Sequence, residues 1–401
     1  MDNRNADSEY YYKAAKIIHT LKYVVLLVLI VFVIIGFTSF KHELTYENFR
    51  YIMRYVNFNP GADYLDTSSI GYNVDEDSSY GYLKGDLAIL SDKNFRTYDF
   101  SGTELINDKV SLVNPCMKTA GKYALCYDVS GAGMYVYNSF AKISEKRFDY
   151  GIKDACIRSD GSYAVATAGK FIRSKVSVFE DRSEFSYETR DKEVVAVSLP
   201  EDSDKVNFIA LTVENGDFKF YLMSFNTRNE KPVVERAFIG EFPLKLHSTK
   251  DAVCILTDKA LHFVDYNGTT IASYPHNSGN ISSFYQSGNY VALSYNKNVT
   301  GLDTVRIFTA DGKEIASENF ENGIVGFSAF ENVICSLEKG RLHIMEAEPE
   351  TGKVKDGSAR IIETDRIYTD VFATAHDEYV LVSPQGAILV SGNENSGKGN
   401  K

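Results

Sequence analysis

The sequence predicts an all-β fold, a β-propeller, and three observations carry that prediction. A short, strongly apolar segment returns roughly every forty residues along the chain. Each copy is followed by a segment that alternates apolar and polar residues, and then by a turn rich in Gly or Asp. The composition suits strands, with 27 Tyr, 25 Phe and only 8 Pro. Aromatic side chains pack well on a pleated, half-buried surface, and sparse proline leaves backbone N–H groups available to ladders.

The apolar segments are 87–90, 123–127, 163–166, 208–213, 252–256, 290–293, 333–335 and 379–382. Their length and unbroken apolarity suit strands buried on both faces between stacked sheets. The alternating partners are 95–98, 134–137, 176–179, 220–225, 261–264, 305–308, 342–345 and 387–390. Turns such as Asp99–Thr103, Tyr266–Thr269 and Thr309–Lys313 place Gly where a tight hairpin needs a positive φ. Four-stranded units repeated in this way make propeller blades. Eight blades are expected, with seven as the alternative and a stacked sandwich array as the remaining option. The last unit supplies only three strands, and 69–74 is the expected fourth. Pairing the two ends of the chain would hide both open edges.

Ahead of the repeats, residues 23–40 carry no charged side chain and span about 27 Å as a helix, close to a hydrocarbon core of roughly 30 Å. Lys22 and Lys41 flank this segment and can reach the two interfaces. The apolar run is too long for a signal peptide, and Gly36-Phe-Thr38 is a poor cleavage site. The expected organisation is a cytoplasmic tail at 1–22, a transmembrane helix at 23–40, a juxtamembrane stalk helix at 41–60, the propeller at 66–392 and a disordered tail at 393–401. A slight excess of basic residues before the helix points to a cytoplasmic N-terminus and an extracytoplasmic propeller. The expected location is therefore the cell membrane, with a single pass.

The formal net charge of −11 leaves no domain-sized basic footprint, which argues against nucleic acid as a partner. Five cysteines follow no CxxC pattern and lie within or beside apolar runs, as buried thiols do. Cys116 and Cys156 each precede a repeat Tyr by seven residues, which raises a disulfide between neighbouring blades as an option.

The units at Val305–Ile315 and Leu261–Ile271 read as an apolar strand, an Asp/Asn-Gly turn and a returning Ile. In this the chain resembles the pyrroloquinoline-quinone-like propeller superfamily. More narrowly, with Thr45-Tyr-Glu-Asn-Phe49 after the apolar helix, it resembles an uncharacterised family of Gram-positive, clostridial-type membrane-anchored propellers. The resemblance implies architecture and assigns no activity. Quinone-binding members carry a recurrent Trp between blades, and this chain has none.

No cofactor or metal site is expected. The seven His form no HxH or HExxH pattern, and His262 and His343 fall at matching third-strand positions. Asn73–Asp77 departs from a calcium loop at its sixth and twelfth positions, Ser78 and Lys84. There is no Gly-x-Ser-x-Gly elbow, no GxGxxG and no P-loop, and carboxylates such as Asp202 and Asp204 read as solvated charge. The candidate ligand-binding residues are repeat-equivalent. Asn114, Asp154 and Asp370 each precede a repeat Tyr by nine residues, and Lys118 and Arg158 precede one by five. That spacing places acidic and basic levels on inner strands facing a central channel, where plain solvation of the channel wall is the competing explanation.

The expected function is a binding or scaffold module at the cell envelope, with no catalysis. Its expected partners are the bilayer, through 23–40, and an envelope protein, peptide or glycan. The alternatives are an extracytoplasmic enzyme, quinone-dependent or glycan-acting, and a sensor signalling through its single helix.

Overall fold

A computed structural model describes residue 16, residues 19–32 and the chain from 69 to 391, apart from 76, 181–182, 277–279, 297–301, 322 and 349–352. The chain divides into two units, Met1–Asp63 and Tyr64–Lys401. In the first, residues 19–32 are helical, with apolar side chains from Leu21 to Phe32 exposed. No helix of the described residues is long and apolar enough to cross a membrane. Residues 33–40 of the expected span, Lys41, the expected stalk helix and the expected tail at 393–401 lie outside the described residues.

The second unit is a ring of eight four-stranded antiparallel sheets, so the choice between eight blades and seven resolves to eight. Seven blades are built from consecutive strands. The eighth takes its inner three strands, Asp370–Ala375, Glu378–Ser383 and Gly386–Ser391, from the end of the chain. Its outer strand is Ser69–Gly71, where Ser69, Ile70 and Gly71 pair with Ile388, Ala387 and Gly386. The core consists of clusters between neighbouring blades. One of them, with Ile70, Leu87, Ile89, Val380, Val382 and Ala387, spans the closure itself.

The strand directions give the ring two faces. The upper face carries the connections between blades and the turns from second to third strands. The lower face carries the other hairpin turns, and the described propeller chain begins and ends there. Lower-face hairpins are tied locally: the Asp265 carboxylate accepts from the Asn267 N–H at 2.9 Å and the Thr269 N–H at 2.7 Å. At Gly312 φ is 83°, and a Cβ would lie 2.5 Å from Cγ of Phe263 in the blade before, so no other residue fits this turn.

All five cysteines are free thiols, so Cys116 and Cys156 do not pair. Cys116 opposes Tyr127, four residues past its repeat Tyr, whereas Cys156 opposes Ala164, one residue past. Their offset is three strand positions, about 10 Å, beyond disulfide reach.

Gly386 adopts φ 148°, and a Cβ there would stand 2.7 Å from the carbonyl oxygen of Ile70. Gly386→Ala is expected to cost about 1–3 kcal/mol through backbone strain alone, and to push the closing strand off its partner. The measurement is the urea midpoint together with proteolysis near residue 70, and an unchanged midpoint with unchanged protection would refute this account of the closure.

Candidate functional site

The inner strands line the central channel, and the candidate residues separate there according to their pairing register. Asp154 opposes Ala166 and Asp370 opposes Val382, each three residues past the repeat Tyr, so these two carboxylates share one level. Asn114 does not join them. It precedes the inner strand Pro115–Ala120 and is exposed, its backbone N–H donating to the Asp128 carboxylate at 2.7 Å. The residue of blade 2 at the Asp154 level is Met117, opposite Cys126. The cause is turn length. Blade 2 crosses from inner to second strand through Gly121 and Lys122 alone, whereas blade 3 uses residues 158–162.

Arg158 is displaced for the same reason. It lies in the blade 3 turn, with its guanidinium donating to Asp160 at 2.7 Å and to the Ser203 carbonyl at 2.5 Å. It fastens blade 3 to a lower-face turn of blade 4 and does not line the channel. Lys118 lies within its inner strand opposite Leu125 and has no ion pair or hydrogen bond among the described residues.

Asp154 joins three blades. One carboxylate oxygen accepts from the Tyr127 hydroxyl of blade 2 at 3.1 Å, and the other from the Val197 N–H of blade 4 at 2.9 Å. Burial raises its pKa, opposed by the positive charge of Lys118 and by these two donors. The same lysine charge bears on His247, on the inner strand Pro243–Ser248 of blade 5. Burial first, and Lys118 second, hold this imidazole down at about 4, so it is neutral at physiological pH. The sequence reading missed His247 because the second strand of its blade lacks the repeat Tyr used as a ruler. Asp370 is pushed up to about 7 by burial, and only its neighbouring Val371 N–H, at 2.8 Å, favours the charged form. Its charge in turn helps push Tyr80, after burial, to about 12. No group of three or more His, Cys, Asp or Glu residues arranged to hold a metal occurs among the described residues.

His262 and His343 serve at the seams between blades. His262 Nε2 meets Glu241 at 2.8 Å and its Nδ1 meets the Ser273 hydroxyl at 3.0 Å, while its ring packs against Phe238 of blade 4. His343 repeats the arrangement with Glu338 at 3.2 Å and Phe320 of blade 6, but Ile361 stands where blade 5 has Ser273. What recurs is the Phe–His–Glu contact. The Ser of blade 5 is an addition to it, not half of a repeated nucleophile.

The upper face differs from the lower in what it exposes. Val113, Tyr150, Phe171, Val213, Ile239, Phe242, Leu244 and Ile367 are all exposed on or beside upper-face loops. The other exposed large apolar side chains of the ring lie along outer strands, and none of those described occupies a lower-face turn. An upper-face pocket of about 160 Å³ between blades 8 and 1 is lined by Asn73, Asp75, Ser91, Asn94 and Arg96 among others. It is too small for a typical organic ligand.

Two outcomes follow for the channel. Asp154→Ala strands the Tyr127 hydroxyl and the Val197 N–H, and is expected to cost about 1–3 kcal/mol, with Asp154→Asn costing less. Urea midpoints of the two variants check this, and equal midpoints would refute the three-blade role. For Asp370, the folded pKa lies above the ordinary carboxyl value of 3.8. The stability difference is therefore absent below pH 4 and grows as pH rises, because the unfolded chain releases the proton first. Relative to Asp370→Asn, the natural chain should lose on the order of 4 kcal/mol between about pH 4 and pH 7. A difference that stays flat across that window would refute it.

Among solved structures, the chain resembles the Dos1 propeller with a TM-score of 0.52 at 11% identity, covering 82% of this chain and 96% of that one. It also resembles the hydrazine synthase of Kuenenia stuttgartiensis, with a TM-score of 0.44 at 12% identity and coverage of 84% and 99%. A third is the β-propeller domain of Myceliophteria thermophila Cps50 (Swd1), with a TM-score of 0.44 at 13% identity and coverage of 80% and 98%. At these identities the likeness is one of fold. No curated protein matches the sequence. Residues 63–388 match the family DUF5711, described as a family of unknown function, and on that match the chain belongs to DUF5711.

Proposed function

We propose that the chain is a non-catalytic binding module held at the cell envelope. Its N-terminal apolar segment enters the bilayer with the N-terminus cytoplasmic, and its extracytoplasmic propeller docks an envelope protein, peptide or glycan. The observation that carries this reading is the one-sided exposure of large apolar side chains on the ring. Scattered exposed apolar residues are ordinary, but their concentration on one face marks an interaction surface.

Two further features support it. Helical residues 19–32 expose aliphatic side chains without interruption from Val24 to Val31, and Phe32 is 76% exposed. Such a helix favours an apolar surrounding over water. In the channel, one of the candidate carboxylates is already engaged: Asp154 holds three blades together, and the Lys118 charge opposes the rise of its pKa.

Photo-cross-linking in native membranes tests the reading. A photoreactive residue in place of Val113, Tyr150 or Ile367 should give one reproducible adduct shared by the three positions. The same residue at Lys250, in a lower-face turn, should give none. Lys250→Cys should also react with a membrane-impermeant maleimide from outside intact cells. Equal cross-linking from both faces would sink the docking face, and labelling only after lysis would sink the extracytoplasmic placement.

A further inference from the structure

The apolar side chains of the upper face are not evenly set around the ring, and neither are the charges beside them. Along blades 3 to 5 lie Phe171, 83% exposed, Val213, Ile239, Phe242 and Leu244. Among them stand Lys170, Arg173, Arg190, Lys245 and Lys259, all exposed and none in an ion pair among the described residues. Most acidic neighbours are engaged, while Asp217, exposed at the tip of the blade 4 hairpin, is in no ion pair among the described residues. Glu214 pairs with Lys219 at 3.1 Å, Asp191 with Lys192 at 3.2 Å and Glu193 with Lys153 at 2.9 Å. Glu241 holds His262 and Thr257, and Asp258 accepts the Phe242 N–H at 2.6 Å. The five cations outnumber Asp217, Asp258 and Glu241, the carboxylates with no Lys or Arg partner among the described residues, so the arc keeps a small positive excess on a chain whose net charge is −11.

The apolar groups stand on two projections, the blade 3 turn and a joined cluster on blades 4 and 5. Phe171 is in the turn at 168–173. The hairpin of blade 4 continues from Leu211, where inner-strand pairing ends at Glu193, to the pair Glu214–Asp217, about 10 Å further. Val213 rides on that extension. Phe218, its cross-strand partner, stacks on Phe242 with ring centroids 5.4 Å apart. A bound peptide needs a groove or a sheet edge. Protruding apolar side chains interspersed with exposed cations suit a bilayer interface, where apolar side chains enter below the headgroups and Lys and Arg meet lipid phosphates.

We propose that the upper arc of blades 3 to 5 rests on an anionic bilayer surface, leaving the arc of Ile367, Val113 and Tyr150 open to a partner. This inference rests on the membrane-tethered reading above, and the test separates the two.

The chain contains no Trp, so Phe171→Trp, Phe242→Trp and Lys250→Trp each introduce a single indole. The full-length variants are placed in nanodiscs with brominated acyl chains, made of phosphatidylcholine alone or mixed with phosphatidylglycerol. Bromine is expected to quench Phe171→Trp and Phe242→Trp in the anionic discs. Quenching should fall several-fold in neutral discs or at about 0.5 M salt, because the attraction is screened. Lys250→Trp should stay unquenched throughout. Protein that remains in the discs without quenching at 171 and 242, or with equal quenching at all three positions, overturns the inference and leaves the tether standing. Protein that never enters the discs overturns the tether. The same variants mixed with preformed brominated vesicles then read the arc alone, where selective quenching supports it and none overturns it. Cross-linking of the arc to a protein, without quenching by pure lipid, also overturns it.

Discussion

Three residue pairs, Ser69–Gly71 against Gly386–Ile388, are the contact on which the ring depends. Each blade buries one sheet face against the blade before it and the other against the blade after it. Blade 1 packs on blade 2 and blade 8 on blade 7, and the remaining face of each is covered only by the other. The cluster joining Leu87 and Ile89 to Val380 and Val382 is built over this seam, with Ile70 inside it. A chain that failed to bring residue 69 back to residue 388 would open two apolar sheet faces and an unpaired edge together. The strain-free glycine at 386 follows from that need, because the Ile70 carbonyl lies where any side chain would go.

The strands were legible in the sequence, and the reason is burial. Second strands packed between two sheets have no polar face to disguise them, so 123–127, 163–166 and 379–382 stand out at once. Third strands alternate between buried and half-buried positions, as in Asn94–Asp99 and Asp303–Thr309. The inner strands were harder to place. Distance from a repeat Tyr is a valid ruler only if every blade turns from its first to its second strand in the same number of residues. Blade 2 uses two and blade 3 uses five, so Asn114 slid off the channel wall and Arg158 slid into a turn. Asp154 and Asp370 kept a common level because their turns and bulges give the same net register. His247 had no ruler at all, since the apolar strand of its blade opens with Ala252.

The same comparison separates two meanings of a polar residue in a propeller channel. Asp154 looks from sequence like a ligand group, yet both of its oxygens are taken by neighbouring blades. A buried carboxylate carries a large desolvation cost, which donors from two other blades and a nearby lysine offset only when all three blades are in place. Its energetic effect is therefore to make the relative setting of blades 2, 3 and 4 cooperative. Burial holds the proton of Asp370 more tightly than usual, and among the described residues only one neighbouring backbone donor opposes it.

The division between the two faces has a mechanical origin. Lower-face hairpins are closed by local hydrogen bonds, as at Asp265, and by close contacts with the preceding blade, as at Gly312. Lengthening one of them would disturb the seam beside it. An upper-face hairpin can grow outward beyond the end of the inner strand, where no neighbouring blade constrains it. Blade 4 does this, and the extension places Val213 and Phe218 above the shorter strands of blade 5. Apolar side chains added there cost the ring little, because the closure and the seams lie elsewhere. The concentration of exposed Phe, Val, Ile and Leu on that one face follows from where the architecture leaves the chain able to change.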